Sequence, residues 1–378
     1  MEIKDFSTIQ TPCYYYDMDV LHKTLQSLKK ESDDPRYVVH YAIKANANPK
    51  ILKTISSYGF GADCVSANEI VAAIESGFDP KKIVFAGVGK TDKEIETALR
   101  AGIGCFNCES LPEIVNINEI AGSLKMKAKI SIRINPLIDA HTHKYITIGI
   151  EESKFGIIKS ELLPLIKLAN SMENVEFIGI HFHIGSQITD MSVFRMLCTQ
   201  VNEFQELLSD NNITIKTINV GGGLGVSYDD PETYPSFANY FKLFKELINL
   251  KPGQTLHFEP GRSVVCQCGT LLTRVVYIKE GYNTKFAIVD AGMNDLIRPA
   301  LYQAHHKIET LTSKGHSEYY DVVGPICESS DVFGKKVKLS DTKRGDILGI
   351  RSAGAYGEVM ASRYNLRCLP STAFSDEL

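Results

Sequence analysis

Residues 38–49 read Val38-Val39-His40-Tyr41-Ala42-Ile43-Lys44-Ala45-Asn46-Ala47-Asn48-Pro49. The run up to Ile43 is mostly apolar, which predicts a short buried strand. Asn48 followed by Pro49 indicates a helix start, because asparagine caps free amides and proline fits the first helical turn. Lys44 is therefore expected on a strand-to-helix turn. There, partial desolvation would free its amine to attack a carbonyl carbon. The alternative is a solvated surface lysine.

The same unit of apolar run, polar turn and capped helix repeats along the chain. Capping pairs Ser66/Glu69, Thr91/Glu94 and Ser110/Glu113 predict helix starts. Glycines at 59, 77, 102 and 122 predict helix ends. Alternating strands and helices indicate a parallel sheet, and eight units over about 230 residues favour a closed (β/α)8 barrel over an open doubly wound sheet. The eight apolar runs are 38–43, 61–65, 82–86, 103–106, 128–134, 177–181, 215–220 and 255–259.

After Arg262 the pattern changes to short apolar runs separated by turn residues. These runs predict a mainly antiparallel β domain. The run 13–17 is also strand-like and is able to pair with that domain. We therefore expect an α/β protein with a barrel at 22–265, and a β domain built from 1–21 and 266–378. The later runs are 271–279, 285–289, 319–323, 335–339 and 346–350.

Composition excludes several classes of protein. The chain has 378 residues, of which 44% are hydrophobic, and its 41 basic and 45 acidic residues give a net charge of −4. No basic patch indicates a nucleic-acid or membrane surface. The start of the chain lacks the apolar core of a signal peptide. Nine scattered cysteines, an odd number, fit a reducing compartment, so we expect a cytoplasmic protein.

Polar motifs follow the last three predicted barrel strands, at the end that carries Lys44. Loops after strands seven and eight of barrel enzymes commonly bind phosphate, for which glycine amides and arginine are suited. A lysine, an imidazole and a carboxylate in the same mouth suit pyridoxal 5′-phosphate (PLP), whose ring nitrogen Glu259 would keep protonated. The motifs are His181-Phe182-His183-Ile184-Gly185-Ser186-Gln187, Gly221-Gly222-Gly223-Leu224-Gly225 and Glu259-Pro260-Gly261-Arg262.

With these motifs the chain resembles the fold-type III PLP-dependent decarboxylases, the family of ornithine, arginine and diaminopimelate decarboxylases. The resemblance covers almost the whole chain and implies an alanine-racemase-like barrel plus a β domain. It also rests on motifs nearer the C-terminus. These are Asp290-Ala291-Gly292-Met293-Asn294-Asp295, Arg298-Pro299, Gly324-Pro325-Ile326-Cys327-Glu328-Ser329 and Gly354-Ala355-Tyr356-Gly357.

The resemblance implies a role for each matching residue. Lys44 would hold the cofactor as an imine, and Cys327 would protonate the carbanion. In this family Cys327 and Glu328 come from the partner subunit, which implies a homodimer with shared active sites. Cofactor contacts are implied for Lys44, His183, Ser186, Gly221, Gly222, Gly223, Glu259, Gly261, Arg262 and Tyr356. Substrate contacts are implied for Arg262, Arg298, Tyr302, Glu328 and Tyr356.

The implied reaction is decarboxylation of meso-2,6-diaminopimelate to L-lysine and CO2, the last step of lysine biosynthesis. Arg298 and Tyr302 favour it, because a substrate tail with a carboxylate needs a cation. A related substrate (carboxynorspermidine, ornithine or arginine) and a non-catalytic PLP-binding regulatory protein stay open as alternatives.

His305-His306 lacks acidic companions, so no metal is expected. Two features depart from the family: Ala67-Asn68 replaces two glycines, and no final strand is expected after Asn365.

Overall fold

The computed structural model describes residue 6, residues 9–138 and residues 154–378. The chain divides into two compact units. The barrel unit comprises Leu25–Gly225 and Ser236–Arg262. The sheet unit comprises Met1–Thr24, Val226–Pro235 and Ser263–Leu378.

The described secondary structure alternates strands and helices up to about residue 265 and is mostly strand beyond it. None of the described helices is long and apolar enough to cross a membrane. The strands are β1 (Cys13–Tyr16), β2 (Tyr37–Ala42), β3 (Gly61–Cys64), β4 (Ile83–Phe85), β5 (Cys105–Cys108), β6 (Ala128–Arg133), β7 (Val175–His181), β8 (Thr217–Asn219), β9 (Thr255–Phe258), β10 (Gly269–Glu280), β11 (Lys285–Val289), β12 (Ile308–Thr310), β13 (Ser317–Val323), β14 (Val332–Ser340), β15 (Ile347–Ile350) and β16 (Ser371–Phe374). The helices are α1 (Met18–Glu31), α2 (Pro49–Ser57), α3 (Ala67–Glu75), α4 (Asp92–Ala101), α5 (Leu111–Ser123), α6 (Lys159–Ser171), α7 (Met191–Asp210), α8 (Phe237–Leu247), α9 (Arg262–Val265) and α10 (Arg298–Tyr302).

Strands β2 to β9 form a closed barrel in which every strand runs parallel to its neighbours. The pairing of β2 with β9, with Val38 opposite His257, closes it. The connecting helices each bury one apolar stripe, as α4 does with Ile95, Ala98 and Leu99. The predicted (β/α)8 barrel is confirmed, and the polar loops after its strands share one end, where barrel enzymes carry their sites.

Helix starts follow the predicted capping pairs, whereas one predicted helix end is wrong. Thr91 and Glu94 satisfy each other's backbone amides at the start of α4. Gly122 does not end a helix, because α5 continues through it to Ser123. A Cβ there would lie 2.6 Å from Asn174 Nδ2, so the glycine allows a close approach instead of a left-handed cap. The other three predicted ends have positive φ (Gly59, Gly77 and Gly102).

The sheet unit contains an eight-stranded mixed sheet with the central order β12-β15-β10-β11-β13-β14. Five strand pairs are antiparallel, and two, β11–β13 and β1–β16, are parallel. Strand β1 pairs antiparallel with β10, with Cys13 opposite Leu272. The predicted mainly antiparallel β domain is thus confirmed, with two parallel pairings that the sequence did not indicate.

The expectation that no strand follows Asn365 is wrong. Residues Ser371–Phe374 form β16, which pairs parallel with β1. The Phe374 ring stacks on Tyr16 with a centroid distance of 5.6 Å. Four residues with one large apolar side chain give too weak a pattern for a strand to be predicted. The strand exists because β1 offers it an edge and an aromatic surface.

Candidate active site

Lys44 lies where the sequence predicted it, on the turn between β2 and α2. The residues Ile43–Ala45 form one 3-10 turn, and Asn48 then caps α2 by accepting a hydrogen bond from the Lys50 amide at 3.1 Å. The Lys44 side chain is about one-third exposed, and its Nζ lies 2.8 Å from Asp63 Oδ2. The lysine is therefore paired with a carboxylate and is not a solvated surface residue.

Asp63 is a site residue that sequence reasoning missed. It lies in β3 and is fully buried, and its Oδ1 has no hydrogen-bond partner among the described residues. Burial and the nearby Glu259 raise the pKa of Asp63 to about 6, although Lys44 acts in the opposite direction. An aspartate inside the apolar strand Gly61–Cys64 was the available signal.

Glu259, directly after β9, is held by three side-chain donors. Its Oε1 accepts hydrogen bonds from Asn219 Nδ2 at 2.7 Å and Asn107 Nδ2 at 3.3 Å, and its Oε2 lies 3.2 Å from His181 Nε2. Burial alone would raise the pKa of Glu259, but His181 and then Lys44 outweigh burial and hold that pKa below its usual range. The carboxylate is thus kept ionised in a buried position.

The glycine run after β8 packs against the loops beside it. Gly222 N donates to His183 Nδ1 at 3.3 Å, so this ring nitrogen is an acceptor. Burial lowers the pKa of His183 well below its usual value, and the positive charges of Lys44 and Arg133 lower it further. His183 is therefore a neutral ring next to the glycine run, which suits stacking on a flat cofactor.

No side chain fits at the glycine run. A Cβ on Gly222 would lie 2.2 Å from the Glu259 carbonyl oxygen, and one on Gly221 would lie 2.4 Å from the Phe182 carbonyl oxygen. Gly223 has a φ of +109°, which side-chain-bearing residues rarely adopt. The loop therefore requires glycine for its close packing, and a run of glycines presents backbone amides of the kind that bind anions.

Arg262 supplies a charge beside the same loops. Its Nη2 donates to Ser186 Oγ at 2.9 Å, and the arginine is 6% exposed. Gly261 lies against the Lys44 turn, where a Cβ would be 3.0 Å from Ala42 Cβ. The barrel unit therefore brings together all the predicted barrel residues: Lys44, His183, Ser186, Gly221, Gly222, Gly223, Glu259, Gly261 and Arg262.

The structure explains why Ala67-Asn68 can replace the two glycines that the family usually has here. Both residues lie in the first turn of α3, after Ser66, whose Oγ accepts the Glu69 amide at 3.2 Å. Neither has a positive φ. This turn therefore does not require the conformational freedom of glycine.

In the sheet unit, Arg298 begins α10 as a buried cation. It is 5% exposed, and its Nη1 lies 3.0 Å from His306 Nε2. No carboxylate pairs with it in the part of the chain that the structure describes. Tyr302 is half-buried and ends the same helix, four residues later and on the same face.

Cys327 and Glu328 lie on an exposed turn of the sheet unit. Asp331, which the sequence reasoning missed, shapes this turn by accepting the amides of Ile326 at 2.7 Å and Met293 at 2.6 Å. Glu328 accepts a hydrogen bond from the Tyr364 hydroxyl at 2.6 Å. Both Cys327 and Glu328 are exposed and therefore accessible.

Tyr356 has a strained backbone. Its φ is +56°, in the left-handed region that seldom holds an aromatic residue. Neighbouring Gly357 has no room for a side chain, because a Cβ would lie 2.4 Å from the Ala353 carbonyl oxygen. The half-buried Tyr356 thus lies on a tight turn whose next residue must be glycine.

Comparison with known proteins identifies the family. Residues 18–266 match the model of the pyridoxal-dependent decarboxylases, described as their pyridoxal binding domain. The chain belongs to the pyridoxal-dependent decarboxylase family. Among similar proteins is a diaminopimelate decarboxylase of Bacteroides thetaiotaomicron, 56% identical over 379 residues, which cover 100% of this chain and 98% of the relative. Another, from Helicobacter pylori, is 44% identical over 96% of this chain and 89% of the relative.

Solved structures of this decarboxylase family are also similar. The crystal structure of Helicobacter pylori diaminopimelate decarboxylase complexed with L-lysine has a TM-score of 0.93 and 41% sequence identity, and the match covers 99% of this chain and 93% of that one. The crystal structure of diaminopimelate decarboxylase from M. jannaschii in co-complex with L-lysine has a TM-score of 0.91 and 37% sequence identity, and the match covers 98% of this chain and 88% of that one. The predicted family and alanine-racemase-like fold are confirmed.

As a family member the chain uses pyridoxal 5′-phosphate, and the barrel mouth fits it. The glycine run packs tightly against the neighbouring loops and offers backbone amides without side chains, and Arg262 and Ser186 add donors for a phosphate. His183 offers a neutral ring, and Glu259 an ionised carboxylate for the ring nitrogen. Lys44 provides the amine that the cofactor aldehyde requires.

Proposed function

We propose that this pyridoxal-dependent decarboxylase converts meso-2,6-diaminopimelate to L-lysine and CO2, the last step of lysine biosynthesis. The observation that carries the proposal is Arg298. A buried guanidinium without a carboxylate partner among the described residues is costly unless a ligand supplies the anion. A substrate with a second carboxylate meets that need, whereas the purely cationic tails of ornithine and arginine do not.

The distal end of diaminopimelate carries both an ammonium and a carboxylate. We assign its carboxylate to Arg298, with Tyr302 beside it, and its ammonium to Glu328. Arginine binds a carboxylate through two parallel hydrogen bonds, which fixes orientation as well as charge. The Helicobacter pylori relative was crystallised with L-lysine, which is the product of the proposed reaction.

The barrel residues would hold the cofactor and control protons around it. When bound, PLP accepts the electron pair that remains on the α-carbon as CO2 leaves. Lys44 would hold it covalently, and Asp63 Oδ2, 2.8 Å from Lys44 Nζ, is placed to take or return the proton of that amine. Glu259 would hold a proton at the ring nitrogen. Glycines 221–223, Ser186, Gly261 and Arg262 would bind the phosphate.

The remaining roles fall to the sheet unit. Cys327 would deliver a proton to the α-carbon, and Tyr356 would contact cofactor and substrate. We assign the cofactor to the domain at 22–265 and these residues to the domain at 1–21 and 266–378. We further propose a homodimer in which Cys327 and Glu328 act in the partner's site. The nine unpaired cysteines suit the cytoplasm.

An assay of purified, PLP-loaded protein against three amino acids tests the substrate. With meso-diaminopimelate, we expect CO2 and L-lysine in equal amounts, and no CO2 above background from L-ornithine or L-arginine. Lys44→Ala should abolish turnover, while Lys81→Ala, which changes an exposed lysine, should not. Faster release of CO2 from L-ornithine than from meso-diaminopimelate would overturn the substrate assignment.

A further inference from the structure

A buried histidine contacts the arginine that we assign to the substrate. His306 is 1% exposed, and its Nε2 lies 3.0 Å from Arg298 Nη1. Its Nδ1 lies 2.9 Å from the carbonyl oxygen of Arg351. Sequence reasoning considered His306 only as a metal ligand and found no role for it.

The two neighbours of the ring fix its protonation. A guanidinium only donates hydrogen bonds, so His306 Nε2 must be the acceptor. A backbone carbonyl only accepts, so Nδ1 must carry the proton. His306 is therefore neutral, in one tautomer, and its Nε2 lone pair is directed at Arg298.

Tyr228 holds the guanidinium from another side. The Arg298 guanidinium carbon lies 4.9 Å from the centre of the Tyr228 ring, a cation–π distance. The His306 and Tyr228 rings are 5.0 Å apart at 76°, an edge-to-face contact. Together, the hydrogen bond and the ring fix both the position and the plane of the guanidinium.

Arg351 anchors both of the residues that hold the Arg298 guanidinium, His306 and Tyr228. Its amide donates to the Lys307 carbonyl at 2.9 Å, beside His306, while its own carbonyl accepts from His306. Its side chain pairs with Glu309 at 3.0 Å and with Glu232 at 2.8 Å. Glu232 belongs to the segment Val226–Pro235 that also carries Tyr228. The strand end at Arg351 thus holds His306 directly and Tyr228 through its segment.

We propose that His306 is a positioning residue that orients Arg298 for the distal carboxylate of the substrate, and so sets the preference for a substrate with a carboxylate at each end. The inference rests on the proposed function. His306 does not touch the reacting atoms in this account. Its loss should therefore weaken binding of the distal carboxylate and leave the chemical step largely intact.

The test compares His306→Phe, which removes the acceptor, with His306→Gln, whose Oε1 replaces it. The matched control is His305→Phe at the neighbouring histidine, which is exposed and pairs with Asp229. For His306→Phe we expect the KM for meso-diaminopimelate to rise about 10- to 100-fold, the value of a hydrogen bond to a charged group, with kcat within about threefold. We expect His306→Gln to recover most of this loss and His305→Phe to match the unaltered protein.

Binding measurements on the PLP-loaded protein distinguish a misoriented Arg298 from a general loss of structure at the site. The affinity for 2-aminopimelate, which has the distal carboxylate, should fall with KM in His306→Phe. The affinity for 1,5-diaminopentane, which has an amine at each end but no carboxylate, should stay within about twofold. If His306→Phe does not fold, by circular dichroism, His306→Ala gives the same comparison.

Two results would overturn the inference: an unchanged KM and unchanged 2-aminopimelate affinity in His306→Phe, or equal losses of affinity for 2-aminopimelate and 1,5-diaminopentane. Failure of the proposed function looks different, because the unaltered protein would then release no CO2 from meso-diaminopimelate. The two binding measurements still decide the role of His306 in that case.

Discussion

Two buried carboxylates at the barrel mouth have opposite pKa shifts, and the difference lies in the charges around them. Burial would raise the pKa of Glu259, but His181, which contacts its Oε2, and Lys44 lower that pKa. Burial and the charge of Glu259 raise the pKa of Asp63 to about 6, although Asp63 pairs with Lys44. One group is thus built to stay ionised, whereas the other exchanges a proton near neutral pH.

Asp63→Asn tests this division of roles. Without a proton acceptor beside Lys44, we expect kcat to fall about 100-fold, a typical loss for one acid–base group. The cofactor should remain covalently attached, which borohydride reduction and the visible spectrum would show. The control is Asp210→Asn at an exposed aspartate. An unchanged kcat would contradict a proton-transfer role for Asp63.

The residues that support the site could not be predicted from the sequence. Lys44, His183 and Glu259 each lie in a motif directly after a strand, so local pattern and chain order were sufficient. Asp63 and His306 act through residues that are 19 and 8 positions away, and a side-chain contact of that kind leaves no periodic pattern. Their roles follow from the register of the strands and from hydrogen bonds that form only in the folded protein.

At the scale of elements, the paired strands β2 and β9 carry two histidines in contact, of which His40 is buried and His257 is half-buried. His40 Nε2 lies 2.8 Å from His257 Nδ1, and the rings stack 5.0 Å apart. The Lys82 carbonyl lies 2.9 Å from His40 Nδ1, and Thr255 Oγ1 lies 2.9 Å from His257 Nε2. Burial lowers the pKa of His40, and it lowers that of His257 to about 3.

Because the pKa values of His40 and His257 are lowered in the folded protein, we expect the barrel to lose stability in acid. In the unfolded chain these histidines bind protons below about pH 6.5, whereas the folded barrel lowers the pKa of both and keeps His257 unprotonated until about pH 3. The free energy of unfolding should therefore fall as pH decreases below about 6.5, with a slope from His257 that approaches about 1.4 kcal/mol per pH unit. His257→Asn keeps a donor for His40 and removes one titrating group.

Melting temperatures between pH 7.5 and pH 5 measure the effect. The slope against pH should be smaller for His257→Asn than for the unaltered protein, while His22→Asn at an exposed histidine should leave the slope unchanged. Equal slopes in all three proteins would show that the pair does not carry the acid sensitivity.

Strong local sequence patterns predicted most helices and strands. The features that were missed or misassigned depend on contacts within the tertiary structure. The eight barrel strands have apolar runs and capped helices between them, so their number and order were evident. Gly122 was assigned to a helix end, although it lies inside α5 for contact with Asn174. The short strands β12 and β16 have three and four residues, too few for a pattern, and exist through their pairing partners.

At the scale of the whole molecule, the proposed homodimer makes a quantitative prediction. Lys44→Ala and Cys327→Ala proteins should each be inactive or nearly so, because each lacks one part of every shared site. After random subunit exchange, half of the dimers are mixed and have one intact site of two. The mixture should therefore regain about one quarter of full activity.

The control mixes Lys44→Ala with a protein that carries both substitutions, since no mixed dimer then has an intact site. Native mass spectrometry would establish that subunits have exchanged. Exchange without any regained activity would contradict the shared site and leave the assignment of Lys44 in place.

The central claim is that the barrel mouth holds the cofactor through Lys44. Borohydride reduction of the PLP-loaded protein, followed by digestion and mass spectrometry, tests it directly. We predict one modified peptide, with the pyridoxyl group on Lys44, and no modification in Lys44→Ala. A modification on another lysine, or an unmodified protein, would contradict the account.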